Sequence, residues 1–316
     1  MKKPPLVVIV GPTAVGKTAL SIDAAQMVPA EIISGDAMQV YRGMDIGTAK
    51  ITKEERRDIP HHLINIVPPD FPFSVALFQK KAKEAIQAII QRKKIPIIVG
   101  GTGLYIRAVT HNYAFAGQNV NHHLRRMLYN EADCLGTGFL YQRLKQIDPA
   151  HARKLHENDT KRIVRALENY YISGQKMSSQ VGDAHQQSVY DLYMIGLTLE
   201  RDTLYQKINA RVDRMLAAGL IEEVKTLLEQ GLSEKNVSLQ AIGYKEIVGF
   251  LQGKTSLEEA IEMLKRNTRR FAKRQLTWFR HQHDIEWFSL DDPGNYPNIL
   301  KKIETKMKGM YTYFSE

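Results

Sequence analysis

The chain has 316 residues, 43% hydrophobic and 25% charged, and its 44 Lys and Arg against 34 Asp and Glu give a formal net charge of +10. Such a composition describes a globular protein with a substantial core, long enough for one large or two ordinary domains. No apolar run approaches the roughly 18 residues of a membrane span, residues 6–10 are too short for a signal-peptide core, and the single cysteine, Cys134, excludes internal disulfides and thiolate-rich zinc sites, pointing to a reducing, cytoplasmic compartment.

Residues 6–10 form a continuous apolar, β-branched run, read as a buried strand that enters a glycine-containing turn and then an apolar helix over 19–28. Short strands are expected at 31–34 and 63–67, followed by an amphipathic helix over 74–93 and a buried strand at 95–99. Strands alternating with helices predict a parallel sheet. Over 116–189 the chain turns rich in His, Arg, Gln, Tyr and Asn, with helices near 122–132, 139–146 and 159–173, and reads as a helical insertion in which Cys134 is expected to be buried. A strand resumes at 190–197, helices dominate 203–283 with stops at Gly219, Gly231 and Gly253, and 286–288 is a last strand. The expected fold is α/β: a P-loop NTPase-like parallel sheet flanked by helices, built from 1–115 and 190–316, with the mostly helical insertion at 116–189.

The charge is unevenly placed. Residues 121–180 carry ten Lys and Arg against six acids, residues 261–283 carry seven against one, and the remainder is neutral. Two basic blocks predict two surfaces that meet a polyanion.

The sharpest motif is Gly11-Pro12-Thr13-Ala14-Val15-Gly16-Lys17-Thr18, a G-x-x-x-x-G-K-T sequence directly after a strand and before a helix, the context of a phosphate-binding P-loop. Its glycines let backbone N–H groups turn around an oxyanion, the helix N-terminus adds positive potential, Lys17 supplies a mobile charge and Thr18 a hydroxyl for Mg²⁺. The second strand ends in Ser34-Gly35-Asp36-Ala37-Met38-Gln39. Strand ends in a parallel sheet share one edge, so Asp36 faces the phosphates as a metal-shell ligand or general base, or else caps its own turn. Strand 95–99 ends in Gly100-Gly101-Thr102-Gly103-Leu104-Tyr105 with no Walker-B aspartate, which leaves water activation without an agent. A helix over 257–283 places Lys265, Arg269 and Lys273 on one ridge and Arg266, Arg270 and Arg274 on the next, with Arg280 beyond, a surface that tracks phosphates. Arg162 and Arg165 share a helix face in the insertion, and the histidines at 122, 123, 151, 156 and 185 lack metal-type spacing.

In this order, these segments resemble the bacterial tRNA dimethylallyltransferases (tRNA isopentenyltransferases), together with Gly43-Met44-Asp45-Ile46-Gly47-Thr48-Ala49-Lys50, Pro60-His61-His62-Leu63, and the stretches 161–166, 208–214, 240–245 and 273–280. The resemblance spans the chain, without the C-terminal zinc finger of eukaryotic members. It implies transfer of a dimethylallyl group from dimethylallyl diphosphate to N6 of the adenosine 3′ of a tRNA anticodon. Lys17, Thr18, Mg²⁺ and the loop at Gly11, Thr13, Ala14, Val15 and Gly16 would hold the diphosphate, with Arg211 reaching it from a later helix. Asp36 would accept a hydrogen bond or proton from N6, and Thr102 would hold the adenosine or the departing oxygen.

The target base would be extruded from its loop. Recognition of the anticodon stem-loop would fall to Asp36, Ala37, Met38, Gln39 and Thr102, to Gln240, Gly243, Tyr244 and Lys245, and to Lys273, Arg274, Gln275, Trp278 and Arg280. Lys161, Arg162 and Arg165 of the insertion would grip the stem. A monomer is expected, with no protein partner. Alternatives are a P-loop kinase of a nucleotide or small metabolite, for which Asp36 would orient a hydroxyl acceptor, and an RNA-binding regulator with a vestigial P-loop.

Overall fold

The structure, a computed structural model, describes residues 2–111, 121–180, 188–282 and 284–315. The expected start of the insertion at Ala116 lies outside the described residues, as do His185 and His283. Two compact units are formed, one from Met1–Asn112 with Ser188–Glu316 and the other from Tyr113–Gln187.

The first unit opens with β1 (Pro5–Val10), α1 (Lys17–Met27), β2 (Ala30–Ser34), β3 (His61–His62), α2 (Val75–Gln91), β4 (Ile95–Gly100) and α3 (Gly103–Thr110). The second unit holds α4 (His122–Leu135), α5 (Thr137–Ile147), α6 (Pro149–Ala152), α7 (Thr160–Ser173) and α8 (Met177–Gln180). The chain then completes the first unit with β5 (Asp191–Thr198), α9 (Arg201–Ala217), α10 (Leu220–Glu229), α11 (Tyr244–Leu251), α12 (Leu257–Arg280), β6 (Ile285–Ser289) and α13 (Tyr296–Tyr311).

The six strands lie in the order β3-β2-β4-β1-β5-β6, every pairing parallel. β1 is buried along its whole length; Leu6, Val8 and Val10 enter one core layer, and Val7 and Ile9 the other. A parallel sheet covered by helices on both faces demands such an unbroken apolar run. On α2, Phe78, Ala82, Ile86 and Ile89 recur at helical spacing towards the sheet, and the Ser74 hydroxyl caps the helix by accepting from Leu77 N at 3.2 Å.

The run 63–67 is not a strand. Leu63 and Asn65 have φ of 61° and 57°, left-handed values that break an extended chain, and only Val67 makes an isolated bridge to Tyr41. The third strand is instead the two-residue His61–His62 beside β2. Helix α13 was not anticipated, although Ile299, Ile303, Met307 and Met310 repeat at helical spacing and pack in the same core layer as Leu20 and Ala24 of α1.

In the second unit, Leu128, Leu140, Leu144, Ile163, Val164 and Leu167 form a core of their own. Cys134 is exposed, contrary to expectation. It follows Ala132 by two residues on α4 and therefore points about 200° away from that helix's buried stripe.

The sheet register places Val10 opposite Gly100 and Gly196, and Ser34 opposite Val99. The segments following β1, β2 and β4 thus emerge on one edge. β2 and β4 end in close contact: a Cβ on Gly100 would lie 2.4 Å from the Gly35 carbonyl oxygen, so neither strand end could approach the other with a side chain at that position.

Candidate active site

At the end of β1 the backbone turns through Gly11, Ala14 and Gly16, whose φ values of 148°, 65° and 111° are all positive. These reversals bend the loop back on itself before Lys17 starts α1. Val15 anchors the loop in the core with 1% exposure, so it offers only backbone to a ligand. Lys17 Nζ donates to Gly11 O at 3.0 Å and Pro12 O at 2.7 Å, folded over its own loop. Burial and the neighbouring Arg211 pull its pKa down to about 7, against the attraction of Asp36. Burial also lowers Arg211, on α9, which Asp36 partly counteracts. Two cations crowded into one cleft with a single carboxylate form a site short of negative charge, which a diphosphate would supply.

The cleft is lined by Thr13, Lys17, Thr18, Asp36, Gln39 and Arg211 among others. Asp36 Oδ1 accepts from Met38 N at 2.8 Å, which fixes the carboxylate at the start of its loop. Thr102 stands before α3, where its hydroxyl accepts from Ala37 N at 3.4 Å, so the segments after β2 and β4 are joined directly. Among the described residues the Thr18 side chain has no hydrogen-bond partner, and no group of three or more His, Cys, Asp or Glu could hold a metal. The Thr18 hydroxyl, at the start of α1 beside the phosphate loop, is the group that could hold Mg²⁺.

The basic helix contributes on two faces. Outward, Arg266, Arg270, Lys273, Arg274 and Arg280 are exposed. The ridge of Lys265 and Arg269 is not: Lys265 pairs with Asp213 at 2.8 Å and Arg269 donates to Asn209 Oδ1 at 2.8 Å, both on α9. Of the ridge of Lys265, Arg269 and Lys273 expected to track phosphates, the first two meet α9 and only Lys273 stays outward. Gln275, expected among the RNA contacts, lines the cleft with 6% exposure. Its Oε1 accepts from Thr13 N at 2.9 Å and its Nε2 donates to Gly101 O at 3.0 Å, tying the phosphate loop to the turn after β4. Trp278 is 38% exposed and lies on Gly103, where a Cβ would come within 2.1 Å of the indole.

Gln240, in the turn ahead of α11, and Lys245, in the first turn of that helix, are exposed. Tyr244 between them is fully buried, its hydroxyl donating to Glu223 Oε1 at 2.6 Å, and cannot stack on a base. Gly243 N donates to Glu246 Oε2 at 2.8 Å. In the second unit Lys161 is exposed, while Arg162 pairs with Asp159 at 3.2 Å and Arg165 with Glu168 at 3.5 Å, so both arginines bring an acidic neighbour to any RNA. Phe271, His61 and Thr48 line the cleft without having been singled out for a role there. Phe271 precedes Gln275 by one helical turn; that spacing was the available signal.

Fold and cleft together define a P-loop group-transfer protein whose oxyanion cradle stands beside a carboxylate. A family model for IPP transferase matches residues 39–282, and one for isopentenyl transferase matches residues 4–63. The chain belongs to this family, that of the tRNA dimethylallyltransferases. The tRNA dimethylallyltransferase of Pelotomaculum thermopropionicum is 48% identical over 309 residues, covering 98% of each chain, and that of Bacillus anthracis is 47% identical over 308 residues, with the same coverage. The crystal structure of the full-length tRNA isopentenylpyrophosphate transferase of Bacillus halodurans is similar at a TM-score of 0.74, with 45% identity over 99% of this chain and 100% of that one. A eukaryotic dimethylallyltransferase acting on tRNA is similar at a TM-score of 0.82, with 32% identity over 95% of this chain and 77% of that one.

Proposed function

We propose that the protein transfers the dimethylallyl group of dimethylallyl diphosphate to the exocyclic N6 of the adenosine 3′ of the anticodon in tRNA, releasing diphosphate. The carrying observation is that Lys17, Thr18, Arg211 and Asp36 line one cleft, so that a leaving diphosphate and an incoming amine meet in the same space. Relatives of nearly the same length, named for this reaction, add independent support.

The C1–O bond of the donor breaks as the electron pair leaves with the diphosphate, and the N6–C1 bond forms. Negative charge grows on the bridging oxygen, where Lys17, Arg211 and the N–H groups of the loop stabilise it. Thr18 is the residue that would hold Mg²⁺, which when bound would supply Lewis-acid stabilisation of the leaving group. Asp36 accepts the proton that N6 must lose, and its bond from Met38 N keeps the carboxylate in place. Thr102, joined to Ala37, borders the entry of the adenosine. The anticodon stem-loop lies along the exposed stripe of α12 and the start of α11, and Lys161, Arg162 and Arg165 meet the stem. Cytoplasm is the compartment where this substrate is found, and among the described residues no helix is long and apolar enough to cross a membrane.

The test is incubation with radiolabelled dimethylallyl diphosphate, Mg²⁺ and unmodified tRNA, beside a parallel reaction with AMP. Label is expected in RNA alone and is expected to be lost in Lys17→Ala. Label in AMP, or in neither, would overturn the assignment. Full turnover of Asp36→Ala with tRNA binding intact would remove Asp36 from the proton transfer.

A further inference from the structure

The loop from Asp36 to Lys50 supplies Asp36, Gln39, Thr48 and Ala49 to the cleft, yet it contains no regular secondary structure to hold them. Its fixed point lies on another element. Glu223, on α10, accepts from Asp45 N and Ile46 N through Oε2, each at 2.7 Å, and from Gly47 N through Oε1 at 3.0 Å. Three consecutive N–H groups converging on one carboxylate form an anion nest, here filled by the protein's own side chain. Tyr244 backs it: its hydroxyl donates to the same Oε1 at 2.6 Å, and its ring lies so close to Gly47 that a Cβ there would come within 2.5 Å.

Hydrogen bonds linked by short stretches of backbone lead from this nest to Asp36 N. The Thr48 hydroxyl donates to Met44 O at 2.6 Å, and Gln39 Nε2 donates to Thr48 O at 3.3 Å. Ser34 Oγ donates to Gln39 Oε1 at 2.8 Å and accepts from Asp36 N at 3.4 Å. Lys50 closes the far end of the loop on Asp45 Oδ1 at 2.7 Å and Asn65 Oδ1 at 2.6 Å.

We propose that Glu223, backed by Tyr244, is a positioning residue of the transfer reaction: it sets the 45–47 backbone and, through Thr48, Gln39 and Ser34, the carboxylate of Asp36. The proposal rests on the assignment of Asp36 to the adenosine amine. It also gives the buried Tyr244 a task that does not require touching RNA. Because α11 begins at Tyr244 and carries the exposed Lys245, the nest joins an exposed edge of the protein to the inner wall of the cleft.

Glu223→Gln keeps the size of the side chain but replaces one acceptor oxygen with a donor that faces backbone N–H groups. Tyr244→Phe keeps the ring and removes only the O–H. A misplacement of about 1 Å at a reacting group lowers turnover up to about a hundredfold. Glu223→Gln is expected to lower kcat by about tenfold or more, and Tyr244→Phe by about threefold. KM for dimethylallyl diphosphate and Kd for tRNA should stay within about twofold of the parent, because neither substrate touches the nest. All rates are measured well below the Tm of each variant, at matched folded fraction.

The decisive arm is a double-mutant cycle with Asp36→Ala: a residue that acts through Asp36 loses its effect once the carboxylate is gone. The proposal is overturned by parental kcat in folded Glu223→Gln and Tyr244→Phe, by losses carried entirely in KM or tRNA affinity, or by a Glu223→Gln effect that persists undiminished in the Asp36→Ala background. Parental turnover of Asp36→Ala alone would overturn the assignment of Asp36 and this route with it. An Asp36-dependent enzyme indifferent to Glu223 would overturn the nest alone.

Discussion

Lys17 sits at a pKa of about 7 in the open cleft because burial and Arg211 disfavour its charge more than Asp36 favours it. A bound diphosphate places several negative charges against Nζ and restores the pKa towards its ordinary value of 10.5. Binding must therefore be accompanied by proton uptake wherever the free enzyme holds a neutral Lys17. With these two values the uptake at Lys17 is about 0.9 proton at pH 8, about 0.5 at pH 7 and about 0.1 at pH 6. Above pH 7, the Lys17 contribution to affinity falls by up to about tenfold per pH unit. Isothermal titration with a methylene-bridged diphosphate analogue, in buffers of contrasting ionisation enthalpy, reads the uptake directly. The same titration with Lys17→Met removes the ligand's own protonation. Equal uptake by parent and variant at pH 8 would refute a neutral lysine in the open cleft. The same shift has a stability sign. The unfolded chain binds more protons than the folded one between about pH 7 and 10.5, so the folded state gains stability as pH rises through that window, and this gain should be absent in Lys17→Met.

Burial pushes Glu31 up, but hydrogen bonds from Arg92, His62 and Lys94 outweigh it and hold its pKa at about 2. Its stabilising contribution is present above the ordinary value of 4.5 and is lost as pH falls towards 2; Glu31→Gln should cost on the order of 2 kcal/mol at pH 7 and flatten that acid limb in thermal melts. Arg270→Ala with Arg274→Ala, on the exposed stripe, should reduce the slope of log affinity for tRNA against log salt by about 1.4, at about 0.7 for each single-strand phosphate contact. Lys265→Ala, which removes a cation already paired with Asp213, should leave that slope unchanged. Gly100→Ala drives a methyl towards the Gly35 carbonyl at 2.4 Å and should lower stability by at least about 2 kcal/mol, visible as a lower denaturation midpoint; an unchanged midpoint would mean that β2 and β4 separate freely.

The phosphate loop, the long α2 and the alternation of strands and helices were legible because their signals are local: one motif, one 3.6-residue period, one apolar run. The apolar stretch 63–67 carried the signal of a strand, but left-handed φ values at Leu63 and Asn65 arise from how the chain passes β2, which no local pattern encodes. Asp36, Lys17, Thr18 and Arg211 do come together in one cleft, whereas the partners that hold them are distant in sequence. Gln275 reaches Thr13 across 262 residues, and Glu223 reaches Asp45 across 178. Tyr244 illustrates the converse: an aromatic within a basic, polar stretch looks like a stacking platform, and only the fold reveals that its hydroxyl is spent on Glu223. Among the cations of α12, charge alone did not separate Lys265 and Arg269, which meet α9, from those left exposed.

Helix α12 is a single rod whose one side carries exposed arginines and whose other side holds the phosphate loop through Gln275. Any free energy gained when a polyanion shifts that rod is shared with whatever occupies the loop, and thermodynamic reciprocity makes the exchange equal in both directions. A tRNA that tightens the grip on the donor must itself be gripped more tightly by the donor-loaded enzyme. By the same reciprocity, if the two sites are coupled through α12, departure of either product would loosen the other.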